Sequence, residues 1–408
     1  MTDPELDPTL PEPINYIADE WSKCEPVPDA WNMDPNTGSP VHRAVTTTPD
    51  NLERALRHAE QSYDVDSWDD SARRRRAELL ERAADIIESR IEEIARTDAL
   101  TSGVPISHTR LVAGFLPHRI RSAADDLRAT PRRTALEAGG RDVRLFKVPW
   151  GPAAILTPWN GPSFIPAAKA VSALAAGCPV ILKPSEHAPA STVAFAQVLH
   201  EAGLPAVVLN VVTGGDTLGA AMTAHPTPRK VSFTGSISAG KKVAVASAAD
   251  LKRVTLELGG NDPAIVLDDA DPAVVGKQLF HAAFQNNGQT CVAVKRVYVP
   301  ESLHDAVVDA LVAEASSVVV GDGMDEATKL GPIQNRPQFD RVASLVDGAL
   351  SSGARAAAGG AALDRPGYFF APTILTGAAD GTAIVDEEQF SPALPVLAYR
   401  DLDDAIER

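Results

Sequence analysis

The segment FQNNGQTCV, residues 284–292, contains a side chain that could act as a nucleophile, Cys291. Upstream of it, LELGGNDP at residues 256–263 places Glu257 shortly before a pair of glycines. A thiol that adds to a carbonyl carbon forms a thioester once a hydride or another leaving group departs, and a carboxylate can activate the water that hydrolyses it. A packed structural thiol is the alternative, because free cysteine is among the most buried residue types. The two segments therefore predict acyl chemistry on sulfur or, failing that, a buried cysteine.

Polar residues and glycines follow a series of short apolar strands after residue 151. Asn160 follows AAILTPW, Lys183 follows PVIL, and Gly235 follows KVSFT. Such strands alternate with helical segments, which predicts an α/β fold with a parallel sheet and helices on both faces. Because ligands bind at the carboxyl ends of the strands in these sheets, we expect the three motifs to lie at one edge.

Each of these motifs has a chemical interpretation and a plainer one. In FTGSISAG, Gly235 and Gly240 could admit a pyrophosphate beside a helix N-terminus, or could mark an ordinary strand-to-helix turn. Lys183 and Glu186 suit ribose hydroxyls, one donating and one accepting, but would also be unremarkable on a surface. The Asn160 amide could donate to a developing oxyanion, or simply occupy a turn before Gly-Pro.

Taken in order, PWNGP, KPSE, FTGSISAG, LELGGNDP, FQNNGQTCV and EEQFSP resemble the motifs of the aldehyde dehydrogenase superfamily. The resemblance spans nearly the whole chain. It implies a Rossmann-like NAD-binding domain, an α/β catalytic domain and a small β arm for oligomer contacts. The expected bounds are 1–128 with 149–259 for the NAD-binding domain, 129–148 for the arm, and 260–408 for the catalytic domain.

The resemblance also implies a reaction, the oxidation of an aldehyde to a carboxylic acid with NAD. Cys291 would be the nucleophile, Glu257 the base for thioester hydrolysis, and Asn160 the oxyanion donor. Transfer of the acyl group to coenzyme A is less favoured, because Glu257 is retained to activate water. The residues implied at the cofactor are Trp159, Lys183, Glu186, Gly235, Ser236, Gly240, Leu258, Glu388 and Phe390. Glu186 would favour NAD over NADP by repelling a 2′-phosphate.

Two departures from the family pattern qualify this interpretation. Ser391 stands where the family usually has glycine; if the position needs a positive φ, serine costs about 1 kcal/mol and shifts the loop that holds Glu388. The family continues beyond residue 408 with further catalytic-domain structure and an oligomerisation strand. A catalytically impaired or silent chain of low stability is therefore the alternative expectation.

The composition of the chain limits the classes of partner that the protein is expected to bind. The 408 residues include 54 acidic and 38 basic side chains, a net charge of −16 that argues against nucleic acid or an anionic membrane as a partner. Three scattered cysteines predict neither a disulfide framework nor a metal site, and they suit a reducing compartment. The acidic, proline-rich N-terminus is no signal peptide, and no apolar run reaches about 18 residues. We expect a cytoplasmic homo-oligomer, a dimer or tetramer if the further C-terminal structure is present, that acts on a small aldehyde.

The remaining pattern predicts how the chain is built around these motifs. Residues 1–47 read as an extended arm with turns, and Thr48-Pro49-Asp50 begins a helix. A longer helix from Ser71 carries apolar residues as far as Ile94, and RDVRLFKV at residues 141–148 alternates like a half-buried strand. Beyond Asn261 we predict strands at PAIVL, RVYVP and LPVLAY and helices near 272–284 and 302–317.

Overall fold

The computed structural model describes residues 10–64 and 69–408. Within them the chain divides into two compact units. Unit 1 comprises the residues up to Asn32, Pro40–Asp98 and Arg110–Leu258, and unit 2 comprises Met33–Ser39, Ala99–Thr109 and Gly259–Arg408. The start of the predicted N-terminal arm, residues 1–9, lies outside the described residues.

Helices and strands alternate through the first part of the chain. The helices are α1 (Pro49–Ser62), α2 (Asp70–Ser89), α3 (Ile91–Ser102), α4 (Ile106–Ala129), α5 (Phe164–Ala175), α6 (Ala190–Glu201), α7 (Asp216–Ala224) and α8 (Ile237–Ala248). The strands are β1 (Ile14–Ile17), β2 (Glu20–Lys23), β3 (Glu25–Met33), β4 (Pro40–Thr46), β5 (Arg133–Ala138), β6 (Arg141–Phe146), β7 (Ala153–Leu156), β8 (Val180–Lys183), β9 (Leu209–Val211), β10 (Lys230–Gly235) and β11 (Arg253–Leu258).

Seven of these strands form one sheet in the order β11-β10-β7-β8-β9-β1-β2. The strands from β11 to β9 are parallel, and β1 runs antiparallel to both β9 and β2. All four residues of β7 and of β8 are buried, as expected for strands covered on both faces by helices. The carboxyl ends of β7, β8, β10 and β11 therefore meet at one edge, which confirms the prediction for the motifs that follow them.

Two predictions about the first 100 residues are wrong. The N-terminal segment is not only an extended arm, because Tyr16 and Ile17 are buried and bring β1 and β2 into the main sheet. The long helix expected from Ser71 is two helices, since α2 ends before Arg90, whose φ of −119° and ψ of 18° leave the helical region. Apolar spacing continues across the break, which is why the pattern alone did not reveal it.

Among the residues that the structure describes, the arm strands β5 and β6 pair only with each other, as an antiparallel ribbon. Leu136, Val143 and Leu145 share one face of this ribbon, while Arg144 lies on the other. All six residues of β6 are exposed, so the predicted half-burial is wrong within the described chain. The alternation is real, but no described element covers the apolar face.

Unit 2 contains a second sheet, of order β12-β13-β16-β15-β14, in which only β14 is antiparallel to its neighbour. Its strands are β12 (Pro263–Ile265), β13 (Arg296–Pro300), β14 (Arg355–Ala358), β15 (Thr373–Thr376) and β16 (Ala393–Tyr399). Its helices are α9 (Pro272–Phe284), α10 (His304–Ser317), α11 (Arg336–Ser351), α12 (Ala383–Asp386) and α13 (Leu402–Glu407), with a 3₁₀ segment at Gln285–Gly288. The predicted strands and helices of this region are confirmed.

The core of unit 2 lies on both faces of this sheet. Val297 and Val299 belong to one apolar cluster, which includes residues of α9 and α10, and Tyr298 belongs to another, which includes residues of α11. Neighbouring residues of a strand point to opposite faces, so the two clusters cover the two sides. Among the described residues, no helix is both long and apolar enough to cross a membrane.

Candidate active site

A glycine turn joins β10 to α8 in unit 1. Ser236 caps α8, and its hydroxyl accepts a hydrogen bond from the backbone N–H of Ala239 at 3.2 Å. A Cβ on Gly240 would lie 2.5 Å from Leu258 Cδ2, so the absence of a side chain lets the end of β11 pack against the first turn of the helix. Gly235, at the end of β10, pairs with Leu258 in register. Four of the predicted cofactor residues are therefore neighbours.

Lys183 is the last residue of β8, and Glu186 lies three residues further along the chain. The Lys183 side chain is almost wholly buried, and its Nζ donates to the Pro184 carbonyl at 3.0 Å and lies 3.9 Å from Glu186 Oε2. Burial lowers the pKa of Lys183, against the attraction of Glu186 and Asp216. A Cβ on Gly215 would lie 3.6 Å from Glu186 Oε1. Gly215 caps α7 and was not predicted, although a Gly-Gly pair between a strand and a helix is the signal that could have found it.

Glu257 lies on β11, the edge strand, where it is exposed and pairs with Thr234 of β10. A cation that the sequence did not single out is coupled to it. Lys169 of α5 donates to Ser232 Oγ at 3.0 Å; burial lowers the pKa of Lys169, and the negative charge of Glu257 opposes that change. Glu257 is thus an accessible carboxylate within the field of a half-buried ammonium group.

Trp159 and Asn160 are partly buried in the segment that joins β7 to α5. A buried carboxylate fastens the end of this segment: Asp98 accepts hydrogen bonds from Ser163 Oγ and Ser191 Oγ, each at 2.5 Å. Ser163 occupies the N-cap of α5, yet its hydroxyl makes no capping bond, since it donates to Asp98 instead. Burial raises the pKa of Asp98 to about 6, and the two serines hold it lower than burial alone would.

Cys291 belongs to unit 2 and is exposed, in a turn between the 3₁₀ segment and β13. The structural-thiol alternative is therefore wrong for this residue. The preceding loop is strained at Asn286 and Asn287, whose φ values of 51° and 56° are left-handed, whereas Gly288 adopts its φ of 74° freely. The side chain of Gln289 fastens it, accepting from the Gln334 N–H at 2.9 Å and donating to the Asn286 carbonyl at 3.2 Å.

Glu388 lies against the glycine pair of LELGGNDP. A Cβ on Gly259 would fall 1.8 Å from Glu388 Oε2, so only glycine leaves room for this carboxylate. Burial raises the pKa of Glu388, and attraction to Lys295 and a hydrogen bond from the Gly260 backbone oppose the rise. The Lys295 Nζ lies 3.8 Å from Glu388 Oε1.

Position 391 does not have the positive φ that the family's glycine suggested. The left-handed residue is Phe390, with φ of 50°, which is unusual for a bulky side chain. Gln338 Nε2 holds this turn by donating to the carbonyls of Gln389 at 2.8 Å and Phe390 at 3.0 Å. Ser391 is buried, and its carbonyl packs so close to Gly288 that a Cβ there would approach it to 2.2 Å. The loop with Cys291 and the loop with Glu388 are therefore in contact.

Comparison with known proteins shows the family to which the chain belongs. The sequence matches the Aldehyde dehydrogenase family over residues 21–408. The chain belongs to the aldehyde dehydrogenase family. Betaine aldehyde dehydrogenase of Sinorhizobium fredii is 36% identical over 92% of this chain and 77% of its own length. The NADP-dependent succinate-semialdehyde dehydrogenase of Escherichia coli K12 is 35% identical over 83% of this chain and 71% of its own length.

A solved structure extends the likeness to three dimensions. Aldehyde dehydrogenase C of Pseudomonas syringae, a mutant in complex with NAD⁺ and octanal, is 35% identical and superposes with a TM-score of 0.91. The match covers 100% of this chain and 83% of that one. The predicted family and the predicted α/β fold are thereby confirmed, and the chain is an oxidoreductase of the aldehyde dehydrogenase type. Among the described residues, no group of three or more His, Cys, Asp or Glu side chains is placed to hold a metal ion.

Proposed function

We propose that this aldehyde dehydrogenase oxidises an aldehyde to the carboxylic acid, with Cys291 as the nucleophile and NAD as the electron acceptor. The observation that carries the proposal is the exposed Cys291 thiol on a fastened, strained loop. A nucleophile must reach its substrate, and a loop held by tertiary contacts gives the attack a fixed direction.

The proposed chemistry divides among three side chains. The thiolate of Cys291 adds to the aldehyde carbon, and the Asn160 amide donates to the oxygen that becomes negative in this step. Bound NAD supplies the acceptor for the hydride that leaves this carbon, after which the acyl group remains on sulfur as a thioester. Glu257 takes a proton from water, the resulting hydroxide attacks the thioester, and the acid and the free thiolate are released. The exposure of Glu257 supports this role, because water reaches it freely.

Two observations support the binding of a dinucleotide by unit 1. The glycine turn at Gly235 and the capped N-terminus of α8 present backbone N–H groups of the kind that bind phosphate oxygens. The buried hydroxyl of Thr234, one residue earlier, has no hydrogen-bond partner among the described residues and is available to a ligand. We propose that Lys183 and Glu186 hold the adenosine ribose, that the Glu186 carboxylate favours NAD, and that Trp159 and Leu258 line the same site.

In unit 2 we propose that Glu388 and Phe390 contact the nicotinamide riboside. The partly buried Glu388 carboxylate, with one oxygen lacking a hydrogen bond among the described residues, suits ribose hydroxyl donors. We therefore propose that unit 1 binds most of the cofactor, and that unit 2 carries the nucleophile and contacts the nicotinamide riboside. The ribbon β5–β6 is the proposed contact in a homo-oligomer. A free, exposed thiol nucleophile suits a reducing compartment, and we propose the cytoplasm.

The experiment measures NADH formation by the purified protein across a panel of aldehydes, together with the carboxylic acid product. We expect Cys291→Ala to abolish turnover. We expect Glu257→Gln to give a single burst of NADH, equal to the enzyme concentration, followed by slow release of acid, because water is no longer activated.

Cys178→Ala is the matched control, since it removes a buried thiol and should leave turnover in place. Full activity of Cys291→Ala would refute the nucleophile. Acyl-coenzyme A in place of acid would refute the role of Glu257, and a wild-type protein that turns over no aldehyde would favour a catalytically silent chain.

A further inference from the structure

Lys295, the residue before β13, has a buried ammonium group next to the loop that contains Cys291 (residues 285–294, the cysteine loop). Only 2% of its side chain is exposed. Its Nζ donates to the Thr290 carbonyl at 2.7 Å and to the Ala293 carbonyl at 3.0 Å. These two carbonyls lie on either side of Cys291 in the chain, so a single ammonium group closes the turn that presents the thiol.

The same ammonium group faces the second loop of unit 2. It lies 3.8 Å from Glu388 Oε1 and 5.7 Å from the centre of the Phe390 ring. Glu388 Oε1 accepts no hydrogen bond from the described residues, which leaves Lys295 as a nearby opposite charge. Two contacts to the cysteine loop and two to the Glu388 loop therefore converge on one atom.

A buried ammonium group is costly unless neighbouring groups favour its charge. Burial lowers the pKa of Lys295, and the negative charges of Glu388, Asp262 and Cys291 oppose this change. The hydrogen bonds to the carbonyls of Thr290 and Ala293, which flank Cys291 in the chain, hold this positive charge close to the turn that carries the thiol. The Lys295 ammonium group therefore contributes both hydrogen bonds and a positive charge to the surroundings of Cys291 and Glu388.

We propose that Lys295 is a positioning residue that ties the cysteine loop to the Glu388 loop and supplies the positive environment in which the Cys291 thiolate reacts. The inference rests on the proposed function, because it assumes that Cys291 is the nucleophile. It explains how the left-handed run at residues 286–288 is held in place: the Gln289 side chain bonds to the backbone of Asn286 and Gln334, and Lys295 bonds to the carbonyls that flank Cys291.

The test compares three variants: Lys295→Met, which keeps the chain length and loses the charge; Lys295→Arg, which keeps the charge; and Lys277→Met, an exposed control on α9. Each protein, free of cofactor, is alkylated with iodoacetamide at several pH values, and modification of the Cys291 peptide is followed by mass spectrometry. We expect Lys295→Met to slow alkylation about tenfold or more at neutral pH, with partial recovery in Lys295→Arg and no change in Lys277→Met. A weaker NAD affinity in Lys295→Met, measured by fluorescence titration, is the second expected result.

A purely structural role would lower the melting temperature of Lys295→Met while leaving the alkylation rate of its folded fraction unchanged, and that outcome overturns the proposal. If Lys295→Met does not fold, Lys295→Gln is measured in its place, because it keeps two N–H donors and lacks the charge. The proposed function fails separately, if Cys291→Ala remains active; the inference alone fails if that variant is inactive while Lys295→Met reacts like the wild type.

Discussion

Asp98 offers a quantitative test of how the Asn160 segment is held. Its carboxylate is buried in unit 1 and accepts hydrogen bonds from Ser163 and Ser191. Burial raises its pKa to about 6, compared with about 3.9 for an exposed aspartate. By proton linkage this difference is worth about 3 kcal/mol of folding free energy.

The sign follows from where the proton resides. Between about pH 4 and pH 6 the folded protein keeps the Asp98 proton while the unfolded chain releases it. The stabilising contribution is therefore complete below about pH 4 and is lost as the pH rises to about 6. In Asp98→Asn this dependence is absent, because the amide does not titrate, although it can still donate to one serine and accept from the other.

The assay is thermal unfolding of the wild type and Asp98→Asn from pH 4 to pH 8 at one scan rate. We expect the melting temperature of the wild type, relative to the variant, to fall by several degrees between pH 4 and pH 6.5 and then to level off, since about 1 kcal/mol corresponds to about 2–4 °C in a unit of this size. Asp126→Asn, on an exposed position of α4, controls for the loss of one negative charge. A difference between wild type and Asp98→Asn that stays constant across this range would refute the reasoning.

Two further predictions concern the cofactor and the assembly. Glu186→Gln should lower the preference for NAD over NADP, expressed as the ratio of kcat/KM values, by about tenfold or more, because repulsion of a 2′-phosphate is worth about 1–3 kcal/mol; an unchanged ratio would show that Glu186 does not face the ribose. Leu145→Asp, on the exposed apolar face of β6, should reduce the mass measured by light scattering, while Arg144→Glu on the opposite face should not. An equal mass for all three proteins would argue against the ribbon as the contact.

Most of the fold could be predicted from the sequence where local pattern and tertiary role agree. The helix expected at Thr48-Pro49-Asp50 is α1, and its buried residues are the predicted Leu52, Ala55, Leu56 and Ala59. The strand RVYVP is β13, residue for residue. Such agreement arises because a capping residue and an apolar stripe specify the same element. The break at Arg90 has no comparable signal, since the apolar spacing continues through it.

In the candidate site, the sequence could predict only those residues whose side-chain type by itself indicates a reaction. Cys291 and Glu257 could be singled out because a thiol and a carboxylate have evident reactions. Lys295 and Asp98 could not, because their roles depend on burial and on partners such as Ser163 that pattern does not reveal. The left-handed Phe390 is also invisible in sequence, since a phenylalanine gives no local signal for positive φ.

The order of strands in the main sheet has a consequence for synthesis of the protein. Ala153 of β7 pairs with Val180 of β8 on one side and with Lys230 of β10 on the other. Lys230 lies 77 residues after Ala153 (230 − 153), so at about 5–20 residues per second the ribosome needs roughly 4–15 s to supply the second partner. During that interval a fully buried strand of the native protein has at least one unpaired edge, open to other chains. Slower translation through residues 184–230 therefore lengthens the time for which this edge of β7 stays exposed.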